Sequence, residues 1–74
     1  MYNFKVLSSP VRAMQINRSG EVIMDDKKLC GDVGYWVVIS DAGEQTVWSD
    51  EEFRKNFEPA DAPATEYLRQ AIKK

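Results

Sequence analysis

The chain has 74 residues, of which 43% are hydrophobic and 11% aromatic, which is typical of one small folded domain rather than a disordered segment. Its formal net charge is −2, with 10 basic and 12 acidic residues, so it lacks the basic excess of proteins that bind nucleic-acid phosphates. One cysteine and no histidine exclude an intramolecular disulfide and remove Ser-His and Cys-His nucleophile pairs and the commonest metal ligand.

The first elements along the chain are predicted to be short β-strands. Residues 4–7 are mostly apolar, and the strand ends before Pro10, which lacks a backbone donor. Residues 11–16 alternate as a half-buried strand, with Arg12, Met14 and Ile16 on one face and Val11, Ala13 and Gln15 on the other. A turn at residues 17–20 is expected to lead to a hairpin partner at residues 21–24.

The middle of the chain is predicted to contain the central strand. Residues 25–34 are polar and contain two glycines, so they are expected to form a loop. Residues 35–40 are β-branched and aromatic and predict a strand buried on both faces. A turn with Gly43 leads to a strand at residues 45–48, so Trp36 and Trp48 are expected to pair across the strands or to share one core.

Two helices are predicted to follow. Ser49 and Glu52 have the spacing of a capping box, and Phe53 and Phe57 lie four residues apart on one helix face. Residues 58–64 predict a Pro/Ala hinge. Thr65 is then expected to cap a second helix over residues 66–73, on which Tyr67, Leu68, Ala71 and Ile72 form an apolar stripe.

These elements predict an α+β fold. Its sheet would be small, twisted and antiparallel with four or five strands, or a partly open SH3-like barrel. We expect a single domain in which residues 1–59 form the β-rich core with a capped short helix, and residues 60–74 form the hinge and the C-terminal amphipathic helix.

The side chains with chemical potential all have structural interpretations. The acids at residues 50–52 suit the positive end of a helix dipole, so helix capping is favoured over a magnesium site. Residues 30–34 lack the pattern of a phosphate-binding loop. Cys30 could be a reactive thiol, but no basic residue adjoins it in sequence, which favours a half-buried inert thiol. We therefore expect no enzymatic activity, cofactor or metal.

Two segments, VRAMQI and GYWVVISDAGEQTVWSDEEFRKNFEP, resemble a group of small uncharacterised phage and prophage proteins. Those proteins share an early VRAMQ-like strand, a Gly-Asp-aromatic-Val-Val strand, a Gly turn and a Ser-Asp-Glu-Glu-Phe helix that ends near Tyr/Phe-Glu-Pro. Here Gly31-Asp32 stands apart from the aromatic strand, with Val33-Gly34 between them. The resemblance implies a fold and a viral origin, and it carries over no catalytic residue.

The favoured function is a non-enzymatic interaction protein of phage or prophage type that binds and modulates a host or viral protein, in host takeover or defence evasion. Its expected contacts are Tyr35, Tyr67, Leu68 and Ile72. The alternative is a small-ligand or nucleic-acid binding module that uses an aromatic sheet face, with Arg12, Lys27, Lys28 and Trp36 as contacts.

A third possibility is a homo-oligomer that completes the small core. The N-terminus has no signal-peptide pattern, and no apolar run has the length of a membrane span. A cytoplasmic location is therefore expected, in the host cell if the protein is viral, without membrane association.

Overall fold

The computed structural model describes residues 2–7 and 9–72. Within them lie seven strands and two helices. In chain order they are β1 (Tyr2–Val6), β2 (Ser9–Gln15), β3 (Glu21–Met24), β4 (Lys27–Cys30), β5 (Trp36–Ser40), β6 (Gln45–Trp48), α1 (Asp50–Asn56), β7 (Glu58–Pro59) and α2 (Ala62–Gln70).

The strands form two antiparallel sheets. The larger has five strands in the order β6-β5-β2-β1-β7, and the smaller is the hairpin β3-β4. The α+β prediction is confirmed, with a five-stranded main sheet that is open and not closed into a barrel. Trp36 lies directly opposite Trp48, which confirms the expected cross-strand pair.

The pairing of β3 differs from the sequence prediction. Residues 21–24 are a strand as predicted, but they pair with β4 and not with β2, whose neighbour on that side is β5. The predicted loop at residues 25–34 therefore contains β4. The turn consists of Asp25 and Asp26, both with positive φ (50° and 63°). Aspartate tolerates this conformation, and two such residues match the twist of a two-residue hairpin.

One face of the main sheet packs against both helices. The buried side chains on this helix-side core are Phe4, Val11, Ala13, Trp36, Val38, Phe53, Phe57 and Ala64. The indole of Trp36 stacks on Phe53 with ring centroids 4.1 Å apart and an interplanar angle of 2°. Phe53 in turn stacks on Phe57 at 4.8 Å, as the i, i+4 spacing predicted.

The opposite face of the sheet packs against the β3-β4 hairpin. This hairpin-side core contains Ile16, Val22, Met24, Val37 and Ile39, with Met14 and Leu29 packed against it. Residues 36–39 of β5 are all buried because they alternate between the two cores. This arrangement confirms the central strand that the continuous apolar run predicted.

The two helices begin at well-formed N-caps. Ser49 caps α1 by accepting a hydrogen bond at its Oγ from the Glu52 N–H at 3.3 Å, as predicted. The prediction for the second helix was wrong in its bounds. The sequence predicted a helix over residues 66–73 with Thr65 as its cap, whereas α2 runs from Ala62 to Gln70 and its N-cap is Asp61. Pro63 fits the first turn because backbone donors there have no helical acceptor. Ala64 is fully buried in the helix-side core.

Candidate functional site

Two of the expected partner contacts on the C-terminal segment, Tyr67 and Leu68, face the protein's own sheet. The ring of Tyr67 lies parallel to that of Tyr2, with centroids 3.9 Å apart. Its hydroxyl accepts a hydrogen bond from the backbone N–H of Gln15 at 3.0 Å. Leu68 packs against the helix-side core. These intramolecular contacts leave only part of each side chain for another protein.

Gln15 binds the backbone of Ile72, two residues after the end of α2. This residue is buried, and its amide Nε2 donates to the carbonyls of Gly34 and Ile72 at 3.0 Å and 2.7 Å. In the other direction, the Ile72 N–H donates to Gln15 Oε1 at 2.8 Å. The side-chain amide therefore binds Ile72 as a neighbouring strand would, and Ile72 is half-buried here.

Trp36 is unavailable as a stacking surface for a base or ligand, because its side chain is 0% exposed. Its indole N–H donates to Asp50 Oδ1 at 2.9 Å. Arg54 Nε donates to the same oxygen at 2.8 Å. Trp36, the aromatic contact that the alternative function required, is thus part of the core. The acid at position 50 is buried between an indole and a guanidinium rather than exposed for metal binding.

The three predicted basic contacts do not surround Trp36. Arg12 projects from the hairpin-side face and lies 3.7 Å from the Asp25 carboxylate. Lys28 lies 3.0 Å from Glu21 on the hairpin, and the hydrogen bond with that carboxylate raises the pKa of the Lys28 ammonium. Lys27 is exposed opposite Met24. The sheet separates these cations from the aromatic cluster, so they form no common site with it.

Tyr35 and Cys30 lie at the protein surface. Tyr35, one residue before β5, keeps 37% of its surface exposed, while its carbonyl accepts from the Ile16 N–H at 2.7 Å. Cys30 ends β4 and is exposed, which corrects the expectation of a half-buried thiol. The correction follows from the hairpin, since β4 turns Leu29 towards the core and Cys30 away from it.

A groove of about 420 Å³ crosses β1, β2 and β5 at the end of the sheet near Pro10. Asn3, Lys5, Arg12 and the acidic Asp41 are among its polar lining residues, and Ile39 supplies part of its apolar wall. Asn3 lies opposite Arg12, which places Lys5 diagonally across from the guanidinium on the same face. Sequence reasoning missed this pair of cations because it depends on the strand register.

The two edges of the main sheet differ in their protection. β7 has only two residues, and the Ala60 N–H donates to Asn3 just beyond it. Because hydrogen-bonded pairs alternate along antiparallel strands, Pro59 is the β7 residue whose backbone nitrogen faces outward. A proline nitrogen has no hydrogen to donate, so this edge is closed to a further strand.

Among the residues that the structure describes, nothing comparable protects the β6 edge. The Ser40 N–H donates to the Glu44 carbonyl at 2.8 Å, which fixes the alternation of the β5-β6 ladder. The N–H and C=O groups of Thr46 and Trp48 therefore face β5, whereas those of Gln45 and Val47 face away from the sheet. No residue of β6 is charged, and Val47 is 57% exposed.

Acidic side chains lie at both ends of β6. Asp41 and Glu44 lie in and beside the turn before the strand, and Glu51 and Glu52 lie in the first turn of α1 after it. All four are exposed. Within residues 2–7 and 9–72, no lysine or arginine lies within 4 Å of these carboxylates. The same described residues contain no cluster of three or more metal-ligating side chains.

Comparison with known proteins gives no match to a family model, to a curated protein or to a solved structure. Neither helix in the described part of the chain is long and apolar enough to cross a membrane.

Proposed function

We propose that this is a non-enzymatic protein that binds another protein chain by accepting an extended segment of it at β6. The observation that carries the proposal is the difference between the two sheet edges. Pro59 closes one edge, whereas the other presents the outward N–H and C=O groups of Gln45 and Val47 on an uncharged strand.

Strand addition suits these features because backbone hydrogen bonds supply the attraction and the alternating side chains supply the selectivity. An unprotected edge strand is a liability that soluble proteins ordinarily avoid by using charge, proline or a covering element. β6 contains no charged residue and no proline, and no strand among residues 2–7 and 9–72 pairs with its outer edge, which favours a binding role for this edge. Tyr35 lies at the same end of the β5-β6 pair as Trp48, where it can extend the contact.

The resemblance to phage and prophage proteins supports a host or viral protein as the partner, whose activity the binding would modulate. Host takeover and defence evasion are the proposed settings, in which the protein acts by occupying a surface of its partner. The inward packing of Tyr67 and Leu68, and the hydrogen bonds that hold the Ile72 backbone, favour β6, rather than α2, as the contact.

Affinity capture with two variants tests the proposal. V47P removes an outward-facing N–H and keeps the β5-β6 hydrogen bonds, so we expect it to fold and to lose the partner. I23S is the matched control, since Ile23 is a similarly exposed apolar residue on the hairpin. A partner bound equally by V47P and the unmodified protein would overturn the proposal, as would failure of a host or viral lysate to yield any partner.

A second candidate function is the binding of a small anionic molecule in the groove beside β1 and β2. Two half-exposed cations on one face of the sheet, Lys5 and Arg12, support it, and each is in an ion pair, of 3.8 Å and 3.7 Å respectively, that a bound anion would share. Titration with citrate and inorganic phosphate, monitored by thermal unfolding, tests it. We expect stabilisation that a K5Q/R12Q double variant loses, and an identical response of both proteins would contradict it.

A further inference from the structure

We infer that the segment bound at β6 is a stretch of about four uncharged residues with basic residues at both of its ends. The inference rests on the proposed function, because it names the chemistry of the partner at the same edge. Three properties of β6 carry it: the spacing of its outward backbone groups, its exposed side chains and the charges beyond its ends.

The outward backbone groups set the length of the segment. Gln45 and Val47 each present one N–H and one C=O, and residues two apart in a strand are about 6.5 to 7 Å apart. A partner strand that pairs with both residues therefore needs a matching pair of residues two positions apart. Its neighbouring positions then lie beside Thr46 and Trp48, which gives a contact about four residues long.

The side chains of β6 favour an uncharged segment. Val47 lies beside Val37 on the hairpin side of the sheet, and Thr46 lies beside Val38 on the helix side. A charged residue placed opposite Val47 would lose hydration without gaining an ion pair. Threonine and valine fit both positions because β-branched side chains pack well against their neighbours on a pleated surface.

The charges beyond the strand select basic ends. A segment that extends past Gln45 approaches Glu44, and past Trp48 it approaches Glu51 and Glu52. Because these carboxylates have no cation within 4 Å among the described residues, lysine or arginine on the partner gains an attraction at each end.

The same charges disfavour a second copy of this chain at β6. Two β6 strands can pair about a twofold axis with Thr46 opposite Thr46 of the second copy, which uses all the outward groups. That register brings the turn acids of each copy towards the α1 acids of the other. Like charges then meet at both ends of the joint sheet, with no described cation between them.

Peptide binding tests the inference on the full chain. The probe is a capped synthetic peptide with two lysines, the segment Thr-Val-Thr-Val and two further lysines, and the control peptide has glutamate at the four lysine positions. We expect the lysine peptide to bind at least about fivefold more tightly, and added salt to reduce this difference, because exposed ion pairs are individually weak and screened. Equal binding of the two peptides would overturn the inference.

Protein variants separate the charge effect from the backbone effect. We expect E44Q and E51Q each to weaken binding of the lysine peptide by about 1.5- to 5-fold. E66Q is the matched control, since Glu66 lies on α2 beside Arg69 and should leave binding unchanged. V47P should abolish binding of both peptides. If E66Q weakens binding as much as E44Q does, the attraction is a general charge effect and the inference is wrong.

Light scattering over a range of protein concentrations tests the remaining alternative, which is that a second copy of this chain binds at β6. A dimer that V47P dissociates, together with no binding of the lysine peptide, would show that a second copy occupies β6 and would overturn the inference. The proposed function fails separately, if a natural partner binds the V47P variant as tightly as the unmodified protein. A natural partner that needs Val47 but carries no basic ends would contradict the inference alone.

Discussion

The side-chain amide of Gln15 binds the backbone of Ile72 in both directions, with N···O distances of 2.8 Å and 2.7 Å. These residues are 57 positions apart in sequence, so the pair joins the end of β2 to the last described residue of the chain. The segment after α2 is therefore held by hydrogen bonds to the sheet as well as by the apolar contacts of the helix.

We expect Q15L to destabilise the fold by about 2 to 3 kcal/mol, because it leaves one buried and two part-buried backbone groups without their partner. Urea denaturation measures the loss, and hydrogen exchange should show faster exchange at the Ile72 amide. The matched control is Q70L, which removes an exposed hydrogen bond to Glu66. If the two substitutions destabilise the fold equally, the hydrogen bonds of Gln15 contribute no more to stability than an exposed hydrogen bond.

The carboxylate of Asp50 organises the buried aromatic cluster. D50A leaves the Trp36 indole N–H and the Arg54 guanidinium without their shared acceptor, so we expect a loss of about 3 kcal/mol in unfolding free energy. D50N should cost less because its amide oxygen still accepts from the indole. Thermal and urea unfolding measure these changes, with E51A as an exposed control on the same helix turn. If D50A and E51A lower the unfolding free energy by similar amounts, Asp50 does not organise the aromatic cluster.

Alkaline pH should weaken the contact between α2 and the sheet. Burial raises the pKa of the Tyr67 phenol, and a charge on nearby Tyr2 would raise it further, while the hydrogen bond from the Gln15 N–H opposes this. A raised pKa in the folded state means that the stabilisation is complete below the ordinary value of about 10 and is lost as pH rises above it.

The Tyr67 contribution is measured by urea unfolding at neutral pH and at stepwise higher pH. Y67F should be about 1 kcal/mol less stable near neutrality, since the Gln15 N–H loses its acceptor, and its stability should fall less steeply at alkaline pH. Y35F, which alters an exposed ring, is the control. If the unfolding free energies of Y67F and of the unmodified protein fall equally steeply at alkaline pH, ionisation of Tyr67 does not weaken the contact between α2 and the sheet.

Acidic pH should weaken the start of α2. The hydrogen bond from the Asn3 side chain, and then that from the Ala64 N–H, lower the pKa of the Asp61 carboxyl. Because the pKa is lower in the folded state, the ionised carboxylate stabilises the fold at pH values above the ordinary pKa of about 3.9. This stabilisation is lost as the pH falls through the pKa of the folded state. D61N caps the helix without a charge, so its stability should depend less on pH in this range. The measurement is the unfolding free energy at a series of acidic pH values, with D32N, in the loop before β5, as the control. If the stability of D61N falls with acidic pH as steeply as that of the unmodified protein, the carboxylate of Asp61 does not have this role.

Much of the fold could be predicted because its signals are local. Alternation along β2 placed Val11, Ala13 and Gln15 on one face, and the Ser49 cap placed the start of α1. β4 was missed because its turn relies on Asp25 and Asp26 with positive φ, and this pair lacks the glycine that ordinarily marks such a turn.

The candidate site was less predictable because it depends on strand order. An uncharged strand at residues 45–48 is visible in the sequence, but only the sheet topology shows that no other described strand pairs with its outer edge. The role of Gln15 had a weak signal, since a polar residue on a face otherwise occupied by Val11 and Ala13 needs hydrogen-bond partners. Those partners, Gly34 and Ile72, could not be identified without the tertiary structure.

The β3-β4 hairpin enters and leaves the main sheet at adjacent points. The Gly34 N–H donates to the Ile16 carbonyl, and the Ile16 N–H donates to the Tyr35 carbonyl, so residues 17–33 start and finish across one rung of the β2-β5 ladder. This makes the segment a natural graft point, where a foreign sequence with closely spaced ends can replace it while β6 stays intact. Any such insert must bring its own apolar residues to cover Val37 and Ile39, or the chimaera will aggregate.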